Sequence, residues 1–109
     1  MRSERRAGRR VSVEVFALER THDGVYFQRA TNLSLGGVYL DGTLPHPPGT
    51  VVTLELHVPD GLDPMRVTGT AVDARRDVGM GIRFGALPTR SRDRIARFLS
   101  RRLASANAA

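Results

Sequence analysis

The chain has 109 residues, no cysteine, and a formal net charge of +6 carried by 17 arginines without a single lysine. Such a length is one domain that buries its core without disulfides or metal, and the missing cysteines exclude thiol chemistry, cysteine-ligated zinc and a disulfide framework. No apolar run approaches the roughly eighteen residues of a membrane span and no signal-peptide core follows the charged first residues, so no membrane insertion and a soluble, cytoplasmic protein are expected.

Arginine crowds residues 2–10 and 90–102 and is sparser between them. Coding bias in a GC-rich genome is one reading of arginine over lysine, and selection for guanidinium chemistry is the other. The clustering points to phosphate-bearing partners, because a guanidinium grips phosphate bidentately and stacks on flat rings. Residues 1–10 read as a flexible arm carrying Arg5-Arg6-Ala7-Gly8-Arg9-Arg10. From Val11 the positions Val11, Val13, Val15 and Ala17 alternate with Ser12, Glu14, Phe16 and Leu18 as a half-buried strand does. Thr21-His22-Asp23-Gly24 is a turn signal, and Val25 to Thr31 is the returning strand of a hairpin. Asn32-Leu33-Ser34-Leu35-Gly36-Gly37 then breaks the pattern with two glycines and two side chains suited to local hydrogen bonds.

Val38 to Asp41 reads as a short strand, and Pro45-His46-Pro47-Pro48-Gly49 as a loop excluded from a sheet interior. Val51 to Val58 alternates cleanly, with Val52, Leu54, Leu56 and Val58 inward and Thr53, Glu55 and His57 outward. After the turn at Pro59 to Pro64, Met65 to Ala74 forms a longer strand in which Gly69 marks a bend or bulge. Met80, Ile82 and Phe84 form the last strand. After Pro88 and a cap at Thr89 or Ser91, Ile95, Phe98, Leu99 and Leu103 recur at helical spacing among arginines, and residues 105–109 read as a disordered tail. The expected fold is mainly β: a small, about six-stranded antiparallel barrel over residues 11–104 that includes a C-terminal amphipathic helix.

Catalysis finds no support in the residues. His22, His46 and His57 fall in a turn, a proline loop and an outward strand position, without metal spacing, and read as solvated. The carboxylates form no matched pair and no serine sits in a nucleophile elbow. Gly79-Met80-Gly81 looks like a piece of a phosphate loop, but it lacks the following helix and lysine, which leaves strand packing beside a bound group. No enzyme, metal site or resident cofactor is expected.

Arg6 and Arg10 lie in an arm that abuts the first strand, where two or three guanidiniums can converge on a phosphate and stack on a base. Arg5-Arg6, three residues and Arg10 before a hydrophobic strand resemble the RRxxxR element of the PilZ domain family, bacterial receptors for cyclic di-GMP. Asn32, Ser34 and Gly37 resemble its second element, D/N-x-S-x-x-G, and Gly79 to Phe84 is similar to its GxGxxF-like late strand. The resemblance covers nearly the whole chain and implies a PilZ-type barrel with its closing helix. It also implies that Arg6 and Arg10 contact the phosphates and guanine, the latter by stacking and at the Hoogsteen edge. Asn32 would reach the guanine edge, Ser34 a phosphate or a nearby backbone group, and Gly37 would keep the surface open. Asn32 offers one donor and one acceptor where an aspartate offers two acceptors. Arg5, just before RxxxR, accompanies an intercalated ligand dimer in similar domains. Arg9 has no assigned role.

The implied function is reception of cyclic di-GMP, passed to an unidentified downstream protein partner by reordering of the arm, in control of motility or biofilm formation. Two other readings compete with it. One is a PilZ-like adaptor of pilus or motility type that binds protein and not nucleotide. The other is a nucleic-acid-binding module using the basic chain ends, disfavoured because the aromatic residues form no stacking pattern.

Overall fold

The computed structural model describes residues 15–21, 24–41, 46–75 and 78–108. The arm with Arg5, Arg6, Arg9 and Arg10, Val11 to Glu14 of the first expected strand, His22 and Asp23 of the turn, Pro45 and Ala109 lie outside the described residues.

Six strands follow one another: β1 (Val15–Thr21), β2 (Gly24–Leu33), β3 (Gly37–Asp41), β4 (Val51–His57), β5 (Met65–Arg75) and β6 (Gly79–Phe84); helix α1 (Thr89–Ala108) comes last. They close into an antiparallel barrel in the order β1-β2-β3-β6-β5-β4, with β4 pairing back onto β1. Closure leaves no open sheet edge among the described strands to template aggregation. The alternation read from the sequence selects the inner wall. Val52, Leu54, Leu56 and Val58 are buried, as are Val15, Ala17, Met80, Ile82 and Phe84. The register pairs Thr21 with Gly24 across the hairpin, where the Thr21 hydroxyl donates to the Gly24 carbonyl at 3.2 Å.

Several expectations are corrected. Strand β2 runs past Thr31 to Leu33, because Asn32 is the extra residue of a bulge: Thr31 pairs with Tyr39 and Leu33 already pairs with Val38. Gly69 is not a bulge. Register is continuous through it and breaks instead between Val72 and Arg75, where Asp73 takes φ 48°. A Cβ on Gly69 would lie 2.5 Å from the Arg83 carbonyl oxygen, so glycine is required there by the close approach of β6.

The helix entry also differs. The Pro88 carbonyl accepts the first helical hydrogen bond, from the Arg92 N–H at 3.0 Å, which makes Pro88 and not Thr89 or Ser91 the residue at the N-cap. Helix α1 then continues to Ala108, into the stretch 105–109 that the sequence reading gives as a tail. Ile95, Phe98 and Leu99 join the barrel core. The helix is also tied to the β4–β5 turn by a pair of hydrogen bonds from Arg94 to Asp60, at 2.7 and 2.9 Å.

His46 is a further correction. It is half-buried, and its Nε2 bonds to Oε2 of Glu19, a carboxylate with 3% of its side chain exposed. Gln28 donates to the other carboxylate oxygen at 2.8 Å, and the His46 N–H is 3.4 Å from the Met80 sulfur. A polar side chain on the inner wall costs stability unless its lone pairs are met, and this group of residues meets them. His57 faces outward as expected, yet its Nε2 is covered and finds no hydrogen-bond partner among the described residues. Its cross-strand neighbour Phe16 pairs with Phe27 on the outer face, ring centroids 5.1 Å apart.

Candidate functional site

The break between β2 and β3 organises the site. Asn32 adopts φ 51°, a left-handed conformation that asparagine tolerates better than most residues because its short polar side chain can bond locally. Ser34 follows as the first residue of a tight turn, its N–H donating to the Gly37 carbonyl at 2.9 Å. The Ser34 Oγ accepts from the N–H groups of Gly36 at 3.1 Å and Gly37 at 3.2 Å, and the residue is buried. The Gly36 carbonyl accepts from the Phe84 N–H at 2.8 Å, anchoring the turn to the end of β6. A Cβ on Gly37 would sit 2.2 Å from the Ile82 carbonyl oxygen. The glycine is therefore dictated by how closely β3 lies on β6.

Around this turn the outer faces of β3, β6 and β5 form an open cleft of about 240 Å³. Asn32, Ser34 and Gly37 all line it, together with Tyr39, Asp73, Gly81 and Arg83. Three of the six expected ligand residues are thus brought together. The other three, Arg5, Arg6 and Arg10, lie outside the described residues. The Ser34 hydroxyl bonds to nearby backbone groups, as one of its two expected roles has it.

The family model of the PilZ domain matches residues 4–101, a span that takes in the arm arginines and the Asn32 turn together. The chain belongs to the PilZ domain family. Among solved structures, this PilZ domain is similar to the Bacillus subtilis inhibitor of motility (MotI/DgrA). The TM-score is 0.68 at 14% identity, over 88% of this chain and 49% of that one. It spans about half the length of that structure, and the likeness is one of fold. No curated protein matches the sequence. PilZ domains are ligand-binding or adaptor modules rather than enzymes, and no helix among the described residues is long and apolar enough to cross a membrane.

Sequence reasoning missed Tyr39 and Arg83 as lining residues of the PilZ cleft. Period-two alternation places Tyr39 outward between Val38 and Leu40, and Arg83 outward between Ile82 and Phe84. What alternation does not reveal is that β3 pairs with β6, which sets Tyr39 opposite Gly81 and Gly37 opposite Arg83. The Tyr39 ring lies over Gly79, where a Cβ would come within 3.0 Å of it. Asp73 reaches the same cleft from the β5 bulge.

Because Ser34 holds two backbone N–H groups that would otherwise be left without an acceptor, Ser34→Ala is expected to cost about 1–2 kcal/mol in the ligand-free PilZ domain. Urea denaturation of the two proteins measures it; an unchanged midpoint would show that the serine has no structural task in the turn.

Proposed function

We propose that this PilZ domain binds cyclic di-GMP in the cleft beside Asn32, Ser34 and Gly37, and signals by ordering the arm that carries Arg6 and Arg10. The observation that supports this most is where the chain enters the barrel. Val15 pairs with Ala30, two residues before Asn32, so the arm joins the barrel on the side where the Asn32 turn begins. Arg10 is five residues upstream of Val15, and five extended residues reach at most about 18 Å.

The charge balance of the cleft favours the same reading. Its described lining holds one arginine, Arg83, and one carboxylate, Asp73. A ligand with two phosphates needs further cations, and the arm supplies them in Arg5, Arg6 and Arg10. Asn32 offers hydrogen bonds to a guanine edge, and the Tyr39 ring, which lines the cleft, offers a flat surface to a base. Arg5 favours an intercalated ligand dimer over a single molecule. Such a receptor works in the cytoplasm and passes its state to a protein partner. The similarity to an inhibitor of motility makes motility control the process to examine first.

Isothermal titration calorimetry with cyclic di-GMP is the direct test. The wild-type chain is expected to bind at micromolar ligand or below, with two ligands per chain if the dimer forms. Arg6→Ala and Arg10→Ala are each expected to weaken binding at least about tenfold, since each leaves a ligand charge without its partner. Absence of heat with the wild type at moderate salt would overturn the proposal in favour of a nucleotide-independent adaptor.

A further inference from the structure

Helix α1 carries six arginines against one aspartate, and four of them, Arg90, Arg94, Arg97 and Arg101, follow the spacing i, i+4, i+7, i+11. That spacing lines them along one flank of the helix, a ridge of about 16 Å beside the buried stripe of Ile95, Phe98 and Leu99. Arg94 is committed to Asp60. Its neighbours on the ridge are not: Arg97 and Arg101 are exposed and make no ion pair among the described residues. Between the ridge and the β4–β5 turn lies a second notch of about 240 Å³, lined by Asp60, Leu62, Arg94, Arg97, Phe98 and Arg101. Leu62 stands 60% exposed at its rim, and Phe98 lies at its base.

We propose that this ridge and notch are a docking surface for an acidic, partly apolar segment of a partner protein. Acidic side chains bridge Arg97 and Arg101, and an aliphatic side chain enters the notch against Leu62 and Phe98. The Asp60–Arg94 bonds keep the notch in shape by holding the β4–β5 turn against the helix. A nucleic-acid duplex is a poorer occupant. Asp63 and Asp93 flank the ridge and oppose a continuous run of phosphates, and a phosphate backbone makes no use of an apolar recess. This surface is distinct from the Asn32 cleft, and the proposal holds whether or not that cleft takes a nucleotide.

The test is fluorescence anisotropy of the full chain with a labelled amphipathic helix of Glu, Leu and Ala, at about 0.15 M salt so that long-range attraction is screened. Arg97→Glu with Arg101→Glu is expected to weaken binding at least about tenfold. Arg66→Glu with Arg92→Glu, which changes the net charge equally elsewhere, is expected to weaken it less than about threefold. Leu62→Ser is expected to weaken it about threefold or more through lost apolar contact. All these side chains are exposed, so circular dichroism of the variants is expected to match the wild type. The proposal is overturned by no binding of the peptide, by equal losses in the two charge-reversed pairs, or by an unaffected Leu62→Ser. It is equally overturned if duplex DNA or phosphatidylglycerol vesicles bind more tightly than the peptide.

Discussion

Gly37→Ala is expected to destabilise the ligand-free protein by about 3 kcal/mol, measured as a shift in its urea unfolding midpoint. The new methyl would lie 2.2 Å from the Ile82 carbonyl oxygen and 3.3 Å from the Arg83 Cα, both of them backbone. Neither can rotate away as a side chain would. Separating β3 from β6 would strain the bonds that hold the turn, from the Phe84 N–H to the Gly36 carbonyl and from the Ser34 N–H to the Gly37 carbonyl. Gly85→Ala is the control, because its Cβ would approach nothing nearer than 3.5 Å. A cost below about 1 kcal/mol at Gly37 would show that the strands separate easily and would leave ligand approach as the reason for the glycine. If the large cost is found, loss of ligand binding in a Gly37 variant says nothing about contact with the ligand.

Asp60→Ala is expected to cost a similar amount, about 3 kcal/mol, because it strands the Arg94 guanidinium in a site where only 11% of its side chain is exposed. Asp60 accepts both Arg94 bonds and the Leu62 N–H at 3.1 Å, joining turn, helix and barrel through one carboxylate. The hydrogen bonds from Arg94 lower its pKa from 3.8 to about 2, aided by the Leu62 N–H and the arginine charge and opposed by burial. A carboxylate with a lowered folded-state pKa stabilises the fold fully above its unfolded value and loses that contribution as the pH falls through the folded value. The stability difference between wild type and Asp60→Asn is therefore expected to be flat from neutral pH to about 4. It should then shrink towards pH 2. Urea titrations at stepped pH measure it; a difference that stays constant through this range would mean that Asp60 is not ionically coupled to Arg94.

The inner wall was legible in the sequence where strands are regular. Val52 to Val58 and Met80 to Phe84 alternate without interruption, and burial follows the alternation. Legibility ended at the bulges. Ala30 and Leu33 are both fully buried although they are three residues apart, which no regular strand allows; only the extra residue at Asn32 brings Leu33 back inward. His46 was misread, and its partner Glu19 missed, for another reason. Each is polar and far from the other in sequence, and their contact depends on barrel closure. The Asn32-Ser34-Gly37 part of the cleft was visible as a local pattern. Tyr39 and Arg83 were not, because β3 lies next to β6 and not β4, a long-range pairing with no local signature.

The extra residue in β2 has a consequence for how this site could be lost. With Asn32 deleted, Thr31 would still oppose Tyr39 and Leu33 would still oppose Val38, now as consecutive rungs of an uninterrupted ladder. The barrel would be more regular for the change and relieved of a left-handed residue. A chain mutated in this way would fold, pack its core and pass every test of structural integrity, yet lack the irregularity that sets the Asn32 side of its cleft.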